Sequence, residues 1–261
     1  MSLHADRRAI FLQEIGVGPV WRLRDASPAL AEQPLVLVEE AIETNNAASL
    51  APRQDGTMSP IQVPAISDVA AMEWTQLKAA VAGCTKCGLC RGRTNTVFGV
   101  GDEKAKWLFI GEGPGHNEDL RGEPFVGQAG KLLDNMLLAM GLKRGENAYI
   151  ANIVKCRPTD DSGRDRPPTQ EETAACMSYL ERQIALIQPS VLVALGKTAA
   201  LSLLELEPDT PVSKLRGTVH RYADRPLIVT YHPAYLLRNM VDKKKAWADL
   251  CLAMTTYAGN N

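Results

Sequence analysis

Four short apolar runs, Trp107–Gly111, Ala148–Lys155, Ser190–Leu195 and Leu227–Tyr231, alternate along the chain with stretches of helical spacing. Nothing else in the sequence constrains the fold as tightly. A run that is apolar at consecutive positions must be covered on both faces, which is the pattern of parallel strands joined by helical crossovers. The helices read as Ala129–Met140, stopped by Gly141; about Gln170–Ile187, opened by a capping box of Thr169 and Glu172; Lys197–Leu204; and Lys243–Tyr257. The spacing predicts a three-layer α/β/α fold around a central, mainly parallel four-stranded sheet. Ligands of such sheets gather beyond the carboxyl ends of the strands. The loops leaving these strands begin at Gly111, Cys156, Gly196 and His232, so the chemistry is expected along that one edge.

At 261 residues the chain has room for one such domain and an extension. Residues 1–44 read as an N-terminal arm of unassigned role, with a short helix over Asp6–Ile15. The arm is apolar for a tail, so it is either loosely attached or a docking peptide for a protein partner. Residues 45–66 have the Pro-containing, weakly apolar composition of a flexible linker. The catalytic domain is expected over 67–261, with Ser67 capping a helix that runs to about Ala82. No apolar stretch is long enough to span a membrane, and the N-terminus lacks the apolar core of a secretory signal. A cytoplasmic monomer is expected. The net charge of −1 neither supports nor excludes a nucleic-acid partner, which needs a local basic surface rather than a basic total.

The first strand delivers the loop Gly111-Glu-Gly-Pro-Gly-His-Asn-Glu-Asp-Leu-Arg-Gly-Glu-Pro-Phe-Val-Gly-Gln-Ala-Gly130. Its glycines allow close approach to a ligand. It has carboxylates and no lysine, so it is not a phosphate cradle. It suits a neutral planar group, or a cation that develops during reaction.

The run from Gly111 to Gly130 resembles motif A of the family 4 uracil-DNA glycosylases. Asn152-Ile-Val-Lys-Cys-Arg-Pro158, Leu195-Gly-Lys-Thr-Ala199 and His232-Pro-Ala-Tyr-Leu-Leu-Arg238 agree with that family in the same order. The resemblance extends from about Cys84 to the C-terminus. It implies an enzyme that flips uracil out of DNA and hydrolyses its N-glycosidic bond in base excision repair, working at the nucleoid.

Breaking that bond passes through an oxocarbenium-like sugar, so the site must hold a cation, accept charge on the base and position a water. By resemblance Glu112 is the motif A glutamate. Glu118 matches a second one, either a pocket support or the group that handles water. Phe125 can stack on a flipped base, and otherwise is core. Asn152 offers the donor and acceptor that complement the O4 and N3–H edge of uracil. His232 can donate to uracil O2 as charge builds there. Gly113 lets the base approach, Leu236 is either a wedge for the vacated gap or core, and Arg238 is a candidate phosphate contact. Arg91, Arg93, Arg121, Lys155, Arg157, Arg164, Arg166, Lys214 and Arg216 are further basic residues near the motifs. His220 lies where relatives in the superfamily carry a covalently trapping histidine, but without the basic run around it.

Six cysteines in a cytoplasmic chain do not suggest disulfides. By resemblance Cys84, Cys87, Cys156 and Cys176 are the ligands of a [4Fe–4S] cluster, with zinc as the alternative and Cys90 as a spare thiol. A rival reading of the whole chain is a non-catalytic iron–sulfur protein of the same fold that binds DNA or senses redox state.

Overall fold

A computed structural model describes residues 68–259. The expected arm at 1–44, the linker at 45–66 and the Ser67 cap lie outside the described residues. In chain order the elements are helix α1 (Trp74–Ala82), strands β1 (Val100–Gly101) and β2 (Trp107–Gly111), helices α2 (His116–Arg121) and α3 (Gln128–Ala139) and strand β3 (Ala148–Asn152). Helix α4 (Gln170–Ile187), β4 (Val191–Leu195), α5 (Lys197–Leu204) and α6 (Val212–Leu215) follow. The hairpin β5 (Val219–Tyr222) and β6 (Arg225–Thr230) then leads to α7 (Pro233–Arg238) and α8 (Lys243–Gly259).

The sheet has six strands in the order β1-β3-β2-β4-β6-β5. The inner four are parallel, as expected, and the two edge strands run antiparallel. The four-strand expectation missed these edges because neither is an apolar run. Strand β1 is two residues long and lies against β3 through glycines; a Cβ on Gly101 would fall 2.3 Å from the Ala148 carbonyl oxygen. Strand β5 alternates exposed and half-buried positions, and Ala223 and Asp224, both at positive φ, make the two-residue turn that a tight hairpin needs.

Side chains leave each inner strand alternately, and the two faces build separate cores. Leu108, Ile110, Leu192 and Ala194 pack with α1, α4 and α5. Phe109, Ile150, Val193 and Ile228 pack with α3 and α8. The result is the three-layer α/β/α sandwich. The capping box opening α4 is present: Glu172 N–H donates to Thr169 Oγ1 at 3.2 Å and Thr169 N–H to Glu172 Oε2 at 2.8 Å. The helix expected from Ser67 instead starts at Trp74 behind a Glu73–Gln76 capping box, after a one-turn 3₁₀ segment at Val69–Ala71 that Asp68 caps. No helix among the described residues is long and apolar enough to cross a membrane.

From β2 the chain moves to β3 on one side, then crosses to β4 on the other. The strand order therefore reverses at β2, and a crevice opens between the carboxyl ends of β2 and β4.

Candidate active site

Glu112, Gly113, Glu118, Phe125, Asn152 and His232 come from five separated positions in the chain and line one cavity of about 280 Å³ at that crevice. Strand register brings the first pair together. Gly111 is paired with Asn152, and two further bonds past the strand ends, Ile153 N–H to Gly111 O at 2.9 Å and Val154 N–H to Glu112 O at 3.2 Å, keep the departing chains side by side. Gly111 itself must lack a side chain: a Cβ there would lie 2.4 Å from Asn152 Oδ1 and 2.6 Å from Phe125 Cζ. At Gly113 a Cβ would press on Val154 at 2.7 Å.

Asn152 is 1 % exposed, yet its Oδ1 has no hydrogen-bond partner. A buried acceptor left unpaired costs about 1–3 kcal/mol, so such groups persist where a ligand completes them. Asn152 itself is among the residues that line the cavity.

Phe125 is held in the left-handed region, at φ 55°. For a bulky residue that conformation costs on the order of 1 kcal/mol and must be imposed from outside. Glu118 imposes it from one side, its Oε1 accepting from Val126 N–H at 2.9 Å and Gly127 N–H at 3.0 Å. Arg144 imposes it from the other, donating to the carbonyls of Pro124 and Phe125 at 2.8 Å each and pairing with Asp134 at 2.9 Å. Gly130 leaves room for the kink, since a Cβ there would overlap the Phe125 carbonyl. The ring ends 5.5 Å from that of His232, centroid to centroid. Of the two readings of Glu118, the geometry favours the pocket support.

His232 is the N-cap of α7, with Pro233 in the first turn, where a missing N–H costs nothing. Its Nδ1 accepts from Ala234 N–H at 3.2 Å, so the ring proton sits on Nε2. Burial, aided by Arg238 and opposed by Glu118, pulls the imidazole down to about 4, so it is a neutral donor at pH 7. Glu112 accepts a hydrogen bond from the Thr198 hydroxyl at the start of α5, across the crevice. Burial raises its carboxyl above the usual range and the Thr198 bond opposes that rise. Neither Thr198 nor Arg144 was singled out from sequence. Thr198 lay inside a recognised block without a role, and Arg144 has no local signal.

Other expectations need correction. Leu236 is 1 % exposed and packs into the core beside α3 and α8, so it cannot enter a duplex; Leu237, one position on, turns outward at 42 %. Arg238 is exposed on the groove next to the pocket. Several basic residues have other duties. Lys155 is buried, bonded to Asn152 O at 2.8 Å and Gln183 Oε1 at 2.6 Å, with burial pulling its amine down to about 8. Arg216 is paired with buried Asp249 at 2.7 Å. Arg157, Arg164 and Arg166 pair with Asp165, Asp160 and Glu172. His220 sits on β5, its Nε2 against Leu215 O at 2.7 Å, and does not line the pocket.

Cys84, Cys87, Cys156 and Cys176 line one small cavity between α1, the chain leaving β3, and α4; Cys90 lines it too. None of them is in a disulfide. Arg93 donates to Cys156 Sγ at 3.2 Å and to the Cys84 carbonyl at 2.8 Å, and Lys155 N–H donates to Cys176 Sγ at 3.3 Å. Burial raises the Cys87 and Cys156 thiols and pushes that of Cys176 up to about 11. No group of three or more His, Cys, Asp or Glu among the described residues is placed to hold a single metal ion.

The family model of the uracil DNA glycosylase superfamily matches residues 98–251. A type-4 uracil-DNA glycosylase of Archaeoglobus fulgidus is 47 % identical over 164 residues, covering 60 % of this chain and 79 % of its own. One from Thermotoga maritima is 46 % identical over 160 residues, covering 61 % and 80 %. A type-5 uracil-DNA glycosylase of Pyrobaculum aerophilum is more distant, 28 % identical over 153 residues and covering 53 % and 66 %.

Proposed function

This chain belongs to the uracil DNA glycosylase superfamily, and we propose that Phe125, Asn152, His232 and Glu112 carry out its reaction. It is a uracil-DNA glycosylase, a hydrolase of DNA repair whose substrate is DNA. That sets aside the non-catalytic reading. The observation that carries the residue assignment is the unpartnered Oδ1 of Asn152. Uracil N3–H is a donor of the required kind, and the amide nitrogen can then donate to O4. Cytosine has an acceptor at N3 and would leave the oxygen unpaired.

The base enters between Phe125, which stacks on it, and the far wall of the cavity. As the bond from C1′ to N1 breaks, its electron pair moves onto the base and charge gathers on O2. His232 Nε2–H donates to that oxygen without giving up its proton. A neutral imidazole suits this, because its own protonation lies far below working pH. Glu112, with one oxygen held by Thr198, uses the other to orient a water towards C1′ and to offset the positive sugar. The water adds to C1′ and passes its proton to Glu112, and the uracil anion takes up a proton from solvent at N1 as it leaves. Glu118 acts through Phe125, as a scaffold. Arg238 contacts a phosphate, and Leu237 is the apolar side chain that α7 offers to the vacated gap in a duplex.

Cys84, Cys87, Cys156 and Cys176 share one cavity and offer the four thiols that a [4Fe–4S] cluster takes, and they would hold it; zinc on the same thiols is the alternative. Bound there, the cluster supplies a cross-link between segments. Cytoplasmic action at the nucleoid, a monomeric enzyme, a catalytic domain over 67–261 and a partner for the N-terminal arm complete the proposal.

The direct test is a labelled oligonucleotide with one uracil, treated with the enzyme and then with alkali. The wild-type chain should yield a strand cut at the uracil, and Glu112→Ala should cut at least a hundredfold more slowly. Equal rates would remove Glu112 from the mechanism.

Thr198 supplies a second prediction, with a sign. Activity needs the Glu112 carboxylate ionised, so the rate falls as pH drops through the folded pKa of that group. The Thr198 bond lowers that pKa against burial. Thr198→Val removes the bond, so the acid limb of the kcat profile should move to higher pH, whereas Thr198→Ser should restore it. Superimposable profiles for the wild-type and valine chains would deny Thr198 this role.

A further inference from the structure

A larger groove, of about 760 Å³, opens directly off the uracil pocket, and Glu112, Asp165, Arg166, His232 and Ala234 line both. Its wall is aromatic. Tyr231 and Tyr235 both line it, stacked with centroids 4.8 Å apart and planes 29° from parallel. The pair is anchored. The Arg216 guanidinium lies 4.3 Å from the Tyr231 centroid and is itself held by Asp249. The Tyr235 hydroxyl donates to Asp242 at 2.7 Å, and Lys245 pairs with that same carboxylate at 2.8 Å. Rings fixed in this way present a surface that need not be ordered on binding.

The groove also carries two cations, Lys197 and Arg238, that the pocket lacks. Lys197 and Arg238 line it and are exposed. The carboxylates on the shared rim are engaged: Glu112 takes the Thr198 hydroxyl, and Asp165 is paired with Arg157 at 2.5 Å. A flat aromatic face next to free cations matches a nucleotide, with a π-surface to stack and a phosphate to neutralise.

We propose that this groove is a second nucleotide subsite, holding one neighbour of the flipped uracil in the same strand, its base stacked on Tyr235 and its phosphate on Arg238 or Lys197. The inference rests on the reading of the adjoining cavity as the uracil pocket. Continuity identifies the occupant. A strand whose uracil fills the pocket must leave through an opening, and this opening is shared with the groove. The complementary strand has no part in the contact, so the subsite serves uracil in single-stranded DNA as well as in duplexes.

The test uses short single strands with a central uracil, in which the 5′ neighbour, the 3′ neighbour or neither is replaced by an abasic tetrahydrofuran residue. Uracil release by the full chain is measured. Loss of the base on one side, and that side only, should raise KM about tenfold, the size of one base–aromatic stack. Tyr235→Leu should raise KM for the intact strand by the same factor and no longer distinguish the three strands. Tyr235→Phe, which keeps the ring, should still distinguish them. Equal KM values for the wild-type chain, or a leucine variant that still discriminates, would overturn the subsite. Should Tyr235→Leu not fold, crosslinking of the wild-type chain decides, with 4-thiothymidine beside an uncleavable 2′-fluoro-deoxyuridine. Attachment to Tyr235 or its groove supports the subsite, and attachment elsewhere refutes it. Failure of the uracil reading would look different, since no strand would then lose its uracil.

Discussion

An Asn152→Ala chain should release uracil about a thousandfold more slowly than the wild type while melting no lower. The two halves of that expectation have one origin. Asn152 ends β3, is 1 % exposed, and keeps an acceptor in the protein interior with no partner. In the free enzyme that oxygen is a burden of about 1–3 kcal/mol, so removing it relieves the folded state, by enough to raise Tm by a few degrees. The alanine methyl leaves the parallel pairing of Gly111 with residue 152 untouched, because that pairing is made by the backbone. In the complex the same deletion strips the N3–H and O4 edge of the base of both partners, and a site shaped for hydrogen bonding discriminates by factors of 10³ or more when the bonds cannot form. Single-turnover release and a thermal melt, on the same preparation, decide the matter. A loss of activity accompanied by an equal loss of stability would make Asn152 an ordinary structural residue. A loss below tenfold would mean that another group reads the base.

What the sequence made legible, and what it did not, follows from the range of the interactions involved. Strands β2, β3, β4 and β6 were readable because continuous apolar runs record burial on both faces of a sheet. The α4 start was readable because Thr169 and Glu172 satisfy each other three residues apart. Convergence of Phe125, Asn152 and His232 followed from their places after parallel strands. By contrast, Leu236 and Leu237 are both apolar neighbours in a short helix, and which of them faces the core is decided by where α3 and α8 lie. Arg93, Lys155 and Arg216 read only as basic residues near the motifs because their partners are remote: Cys156 is 63 residues from Arg93, Gln183 is 28 from Lys155, and Asp249 is 33 from Arg216. The Thr198–Glu112 bond spans 86 residues and exists only because the strand order reverses between β2 and β4. A charge or hydroxyl in a sequence has no address until the fold supplies its counterpart.

Loss of the proposed cluster should cost the enzyme about as much stability as a large truncation in its core. Cys84 and Cys87 follow α1, Cys156 follows β3, and Cys176 lies on α4, so a cluster on these thiols would close a loop of about seventy residues from the Cys84–Cys87 clip to Cys156 and a shorter one from Cys156 to Cys176. By the loop-closure reasoning that applies to any covalent cross-link, fixing such a loop is worth about 4 kcal/mol. For a domain of this size that corresponds to roughly 10 °C in Tm. Cys156→Ala and Cys176→Ala should therefore lose the broad visible absorbance and the bound iron and sulfide, and melt about 10 °C lower. Activity should fall with them. Lys155 precedes Cys156, donates its backbone N–H to Cys176 Sγ, and ties its amine to the Asn152 carbonyl, so disorder at the thiols reaches the base-reading residue through a single side chain. Metal and sulfide analysis beside a thermal melt makes the comparison, with Cys90→Ala as the control that should retain its iron. A colourless wild-type chain carrying stoichiometric zinc would replace the cluster with a single ion.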